Sequence, residues 1–214
     1  MKYAFIGGIP ASGKSYLADK VAKAIGAIHV DVDLWREGVK NDPPLKQWAD
    51  FFWNKNEEKY WRVTSCEKHW ENVKRQSGVL WPKIAGKIAA IVKSQKPAIF
   101  EGVNILPHLA KDLGFPGIFL LGESFQVIFK RNKRDPRWGQ TEKLQRKESE
   151  IFYKCEGPIY QKEARKYGFK TFRSPIEAEK ELLRLMRCVM SKKKISLPDK
   201  IINISEEIVM NIVK

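Results

Sequence analysis

Cysteine is scarce in this chain. Its three residues, Cys66, Cys155 and Cys188, lie far apart with no paired spacing. That pattern argues against a disulfide framework or a zinc site, and a reducing, cytoplasmic setting is the natural expectation. Histidine is equally sparse: His29, His69 and His108 are scattered, which gives a His/Cys metal centre no support. No stretch approaches the roughly 18 consecutive apolar residues of a membrane span. The opening "MKYAFIGG" is too short for a signal peptide and runs directly into glycines. No membrane partner is therefore expected, and the chain reads as a monomer or homodimer.

Acidic residues are also in deficit. Asp and Glu number 25 against 40 Lys and Arg, a net charge of +15. A surplus of this size attracts anions such as nucleotides, phosphorylated metabolites or nucleic acid, without choosing among them. A lysine-rich solvated surface explains it equally well. What is present suits a globular protein: 214 residues, 43% hydrophobic and 30% charged, enough for one sizeable core with a small inserted subdomain.

Apolar runs at 2–6, 27–30, 97–102, 117–122 and 168–172 predict five strands. Helical spacing fills the intervals, so strands alternate with helices as in a parallel sheet covered on both faces. Residues 34–96 hold no convincing strand and read as helices broken near "NDPP" and "QSG", with "TSCE" at 64–67 fitting a capping box. A helix over "ESFQVIFKRNKR" runs into "DPRWG". Another fits 141–155 and is interrupted at "EGP", and a last one fits 176–190. The expected organisation is a domain over 1–190, including the 34–96 insert and a short 131–140 segment, followed by an extension at 191–214.

Between the first strand and first helix stands "GGIPASGKSY". Gly8, four residues, then Gly13-Lys14-Ser15 match the full phosphate-binding P-loop pattern in its required strand–loop–helix context. Glycines let backbone N–H groups converge on phosphate oxygens, and the helix N-terminus adds partial positive charge. Lys14 would reach the β- and γ-phosphates and the Ser15 hydroxyl would ligate Mg²⁺. Gly8, Ala11, Ser12, Gly13, Lys14, Ser15 and Tyr16 are thus the expected nucleotide contacts.

"GGIPASGKSYLA" resembles the P-loop of the small-molecule kinases grouped with shikimate, gluconate, uridine and adenylate kinases, the 2-phosphoglycerate kinase-like branch being nearest. The resemblance spans most of 1–190 and rests on four short motifs. It implies a three-layer α/β fold with a five-stranded parallel sheet ordered 2-3-1-4-5, ATP and Mg²⁺ as cofactors, and transfer of the γ-phosphoryl group to a small acceptor.

"HVDVDLWREG" places Asp31 and Asp33 two apart beyond the second strand, on one side if the chain stays extended, at the sheet end where ligands bind. One carboxylate could serve Mg²⁺ and the other could orient and deprotonate the attacking hydroxyl. Turn or capping aspartates are the bland alternative. The resemblance implies Asp31 on the metal side and Asp33 as the acceptor-binding base. Glu101, in "IFEGVNILP", sits where a metal-side or acceptor-side acid would follow the third strand, with Gly102 allowing a close turn and Asn104 and His108 nearby.

The basic stretch "KRNKRDPRWG" lies where adenylate-kinase-like enzymes carry a lid. The resemblance implies Arg131 near the nucleotide and Arg134 and Arg137 on the transferring phosphoryl group, with Arg146 reaching in from the next helix. A solvated basic face would look the same. Six of seven tryptophans, Trp35, Trp48, Trp53, Trp61, Trp70 and Trp81, fall in the insert. They form a helical core or shape the acceptor site, where Arg36 and Arg62 could meet an anionic group. Two rivals remain: a polynucleotide 5′-hydroxyl kinase, for which the charge and aromatics suit single strands, and a nucleotide-gated switch. "RNKRD" spells the guanine-reading Asn-Lys-x-Asp letters, but after a helix rather than a strand.

Overall fold

In a computed structural model, which describes residues 2–39 and 42–187, five strands form one all-parallel sheet: β1 (Tyr3–Gly8), β2 (Ile28–Asp31), β3 (Ala98–Glu101), β4 (Gly117–Leu120) and β5 (Lys170–Phe172). Their order is β2-β3-β1-β4-β5, the three-layer arrangement of P-loop kinases implied by the sequence. The three central strands are buried on both faces, as a parallel sheet requires, and alternation along them sorts side chains between two cores. Phe5, Phe100 and Phe119 point into one; Ala4, Ile6, Ile99, Ile118 and Leu120 point into the other.

The second core is closed by α1 (Lys14–Ile25) and α9 (Pro175–Arg187), through Leu17, Val21, Leu182 and Met186. The first is closed by α4 (Cys66–Lys93), the short α5 (Pro107–Ala110) and α8 (Gly157–Lys166). Between β2 and α4 lie a 3-10 helix (Asp33–Val39), α2 (Pro43–Ala49) and α3 (Glu57–Val63). After β4 come α6 (Phe125–Arg134) and α7 (Glu142–Glu150), the latter continuing through a π-helical turn (Ile151–Glu156) into α8.

Three local expectations need correction. The insert does not break at "QSG": α4 runs unbroken for 28 residues through Gly78 and Pro82. The cost of one lost backbone bond is outweighed by a long buried face including Leu80, Ile84, Ile88 and Val92. Its cap is Ser65, whose hydroxyl accepts from the Lys68 amide at 3.2 Å, one residue later than "TSCE" suggests. At "EGP" the helix widens rather than stops. Pro158 supplies no N–H, and the π turn passes the chain into α8 with Pro158 in its first turn.

The cysteines bring a fourth correction. Cys66 and Cys155 are disulfide-bonded, with Cα atoms 5.7 Å apart across a sequence separation of 89. The first turn of α4 packs on the π turn, which brings the two together. Cysteine usage therefore no longer argues for a reducing compartment. Among the described residues, no helix is long and apolar enough to cross a membrane. The 191–214 extension lies outside the described residues.

Candidate active site

The loop after β1 folds as its glycines dictate. Gly8 adopts φ +126°, and a Cβ there would lie 2.0 Å from the Leu120 carbonyl oxygen, so only glycine fits. The Ser12 hydroxyl is fully buried and donates to the Ile9 carbonyl at 2.8 Å. Ala11 follows with φ 55°. Arg131 braces the loop from α6, donating to the carbonyls of Ser12 (3.0 Å) and Ala11 (3.4 Å) and to Glu123 (3.0 Å). Tyr16 projects outward, 62% exposed.

Lys14 is 6% exposed and its ammonium donates to the Ile9 carbonyl at 2.8 Å. Burial lowers its pKa; Glu101, Asp33 and Asp31 push it back up, and Arg137 opposes them. One lysine therefore stands among three carboxylates. Asp31 accepts from the Asp33 amide at 2.8 Å. Its pKa is raised by burial first, then by repulsion from Asp33 and Glu101. Glu101, 2% exposed, pairs with His29 at 3.3 Å, a hydrogen bond that raises the His29 pKa.

Asp33 is held more firmly than a bare loop acid. Its carboxylate accepts from the Val103 amide (2.9 Å), the Asn104 amide (3.3 Å) and the Asn104 side chain (2.9 Å). Gly102 makes room for it: a Cβ there would lie 2.8 Å from the Asp33 Oδ1 atom. Val32 comes closer still, at 2.6 Å, so the segment after β2 as a whole favours glycine here. Asn104 extends the network to α4 by accepting from the Ser77 hydroxyl at 3.1 Å.

These groups share one cleft of about 230 Å³, lined by Lys14, Ser15, Asp31, Asp33 and Glu101 at the loop end. Arg137 also lines it. Arg134, at the end of α6, is exposed and does not. Arg146 instead lies over the Phe129 ring at 4.5 Å. Arg36 lines the mouth, 4.7 Å over the Trp53 ring, whereas exposed Arg62 is elsewhere. His108 sits 3.4 Å from Glu163, outside the lining. "RNKRD" is not a base-reading loop. Its Asn132 is fully buried within α6 and donates to Glu148 (2.7 Å), Ser149 and the Gln145 carbonyl.

The far half of the cleft joins aromatics of the insert, where the sequence already pointed to an acceptor wall, to residues that sequence reasoning missed. Phe52 and Trp61 from the insert meet Trp138 from the loop after α6, at ring separations of 5.8 and 5.5 Å. Glu148, Phe152, Glu156 and Tyr160 line it from α7, the π turn and α8, and His69, Val73 and Ser77 from α4. Both sets recur every four residues. That is the one signal the sequence offered, and it is what any amphipathic helix shows.

Glu148 is 2% exposed, and burial lifts its pKa from 4.5 to about 7 against the opposing hydrogen bond from Asn132. The folded chain holds this proton more tightly than the unfolded one. The resulting contribution is complete below about pH 4.5 and is lost as pH rises through about 7. Glu148→Gln keeps an acceptor for Asn132 and removes the charge. It is expected to match the parent near pH 4.5 and to exceed its stability at pH 8 by up to about 3 kcal/mol. Urea unfolding at the two pH values measures this; parallel pH profiles would show that Glu148 carries no such linkage.

Among the described residues, no three His, Cys, Asp or Glu side chains converge to hold a metal by themselves. The hydroxyl and carboxylate oxygens of Ser15, Asp31 and Glu101 are nonetheless the hard donors magnesium favours, and Mg²⁺ commonly takes one or two protein ligands with phosphate oxygens and water.

No family model and no curated protein matches the chain. Among solved structures, it is similar to shikimate kinase from Acinetobacter baumannii in complex with shikimate: 15% identity, TM-score 0.49, covering 89% of this chain and 95% of that one. It is also similar to shikimate kinase from Bacteroides thetaiotaomicron, at 11% identity, TM-score 0.48, covering 85% and 96%. Deoxyadenosine kinase from M. mycoides with bound dATP gives 15% identity, TM-score 0.44, covering 89% and 100%. The chain's own sheet order and strand–loop–helix cradle define a three-layer α/β fold with a P-loop.

Proposed function

We propose that the protein is an ATP-dependent kinase that phosphorylates a small-molecule hydroxyl or phosphate, with Mg²⁺ as cofactor. The observation that carries this is one cleft lined both by Lys14, Ser15 and Asp33 and by aromatic and acidic side chains that leave room for a second substrate. Lys14 and the loop amides would hold the β- and γ-phosphates, with Ser15, Asp31 and Glu101 on the metal side. Bound Mg²⁺ would neutralise phosphate charge. Asp33 would orient the acceptor O–H and take its proton as the new O–P bond forms, the bridging β–γ bond breaks and ADP leaves. Arg137, which faces Lys14 across the cleft, would stabilise the transferring group. Positioning and charge stabilisation supply most catalysis of this kind.

An ADP-release assay tests the reading against sugars, hydroxy acids, nucleosides, nucleotides and oligonucleotide 5′-hydroxyls. The expected result is acceptor-dependent ADP formation that EDTA abolishes. Transfer confined to oligonucleotides, with binding that falls steeply with salt, would move the assignment to a polynucleotide kinase. Selective GTP binding without transfer to any acceptor would move it to a switch.

A further inference from the structure

We infer that the far end of the cleft is a cation site, so that the acceptor is a hydroxyl compound carrying an ammonium or similar cation. The phosphorylation half of this statement rests on the kinase reading; the cation site stands on the geometry of the cleft.

The first support is how charge is sorted. In a chain of net charge +15, the basic side chains lining the cleft are Lys14, Arg36 and Arg137. All three are engaged near the phosphate end. Lys14 is in the cradle, the half-exposed Arg137 pairs with Asp135 at 3.6 Å and bears electrostatically on Lys14, and Arg36 donates to the Asp33 carbonyl at 3.1 Å. The far half presents Glu148 and Glu156, 2% and 4% exposed, with no Lys or Arg beside them in the lining. An acceptor bearing carboxylate or phosphate at that end would meet two buried acids, Glu156 with the His69 imidazole at 2.8 Å and Glu148 with the Asn132 amide at 2.7 Å, and a second anion there is costly.

The second support is how Glu156 is held. Asn72 donates to the Tyr60 hydroxyl at 3.0 Å. Tyr60 and His69 Nδ1 are 3.1 Å apart, and His69 Nε2 is 2.8 Å from Glu156 Oε1. A continuous chain of hydrogen bonds thus runs from Asn72 through Tyr60 and His69 to Glu156. Burial raises the Tyr60 pKa, which keeps its proton in place. The relay ends on one carboxylate oxygen. Among the described residues, Glu156 Oε2 has no protein donor, and Glu156 lines the cleft. Since every buried side-chain oxygen and nitrogen among the described residues has a partner, Oε2 is the cleft-accessible oxygen of a carboxylate that His69 positions. The Cys66–Cys155 bond joins the same two elements one residue from Glu156 and one helical turn from His69.

The walls agree. Phe52, Trp61 and Trp138 surround this end, and aromatic faces attract cations, more strongly where water is excluded. The scale follows from α4. Ser77, which bonds Asn104 beside Asp33, and His69 are eight residues apart, so roughly 12 Å separates reacting end and cation end.

Three probes of equal length decide the matter: 6-aminohexan-1-ol, hexane-1,6-diol and 6-hydroxyhexanoate, titrated against tryptophan fluorescence in the full chain without nucleotide. The expected order is ammonium tightest by about tenfold over the diol, with the carboxylate weakest. Glu156→Gln and Glu148→Gln should each narrow the gap between amine and diol, with thermal unfolding confirming that the variants fold. Equal affinity of the parent protein for amine and diol overturns the inference without recourse to any variant. The ADP-release assay separates the two readings. Transfer to neutral or acidic acceptors, unaffected by Glu156→Gln, sinks the cation site and keeps the kinase. Amine selectivity without transfer to any hydroxyl amine leaves the cation site and removes the acceptor assignment.

Discussion

Lys14→Ala is expected to lower kcat/KM for phosphoryl transfer by about a thousandfold or more, close to 4 kcal/mol of transition-state stabilisation. The loss follows from where the ammonium stands. It is nearly fully buried and anchored on the Ile9 carbonyl, with Asp31, Asp33 and Glu101 as its electrostatic neighbours. Removing it deletes the positive charge that would meet the β- and γ-phosphates. It also leaves three carboxylates facing each other without their shared counter-ion. Lys14 holds the Asp31 pKa down, so in the variant Asp31 should take up a proton more readily and become a poorer metal-side ligand. Steady-state kinetics with a circular-dichroism check on folding measure the effect. Turnover at the parent rate would remove the loop from the mechanism.

Asp33→Asn should lower kcat by about 10²–10⁴-fold with little change in the KM for ATP. It should also cost stability, which sequence reasoning alone would not anticipate. The Asp33 carboxylate accepts three hydrogen bonds from residues 103 and 104 and so ties the segment after β2 to the segment after β3. Asparagine keeps one acceptor oxygen and turns N–H donors toward N–H donors, at a cost of about 2–3 kcal/mol. The two effects separate by measurement, since kcat at saturating ATP reports the base and urea unfolding reports the tie. A variant that loses stability but keeps kcat would make Asp33 a structural clamp and leave the acceptor proton to another group.

Fold and site were unevenly legible in the sequence. The five strands and the cradle were readable because each is a local property. A short apolar run bounded by turn residues makes a buried strand, and the order glycine, lysine, serine after a strand makes a phosphate loop wherever the chain carries it. The sheet order was not local; it came with the resemblance and agrees with the observed pairing. Reading of the arginines was coarser. Composition marks 130–137 as basic but cannot say which guanidinium turns inward. Packing made Arg131 a brace on the loop and left Arg134 and Arg137 both exposed, Arg137 at the lining of the cleft.

The far half of the cleft was hidden for a further reason. Its members come from Phe52, Trp61, His69, Trp138, Glu148 and Glu156, spread over a hundred residues of helix and loop, and each looks ordinary in its own segment. The same holds for the disulfide, whose partners are 89 residues apart. The sequence by itself determined that residues 8–15 form a loop of the phosphate-binding type and that carboxylates stand at the ends of the second and third strands, because backbone conformation and strand polarity are set by neighbours along the chain. Only the tertiary structure decided what stands opposite. Burial, counter-charge and hydrogen-bond order at Glu148, Glu156 and His69 arise from elements that meet only when α4 packs against α7 and the π turn.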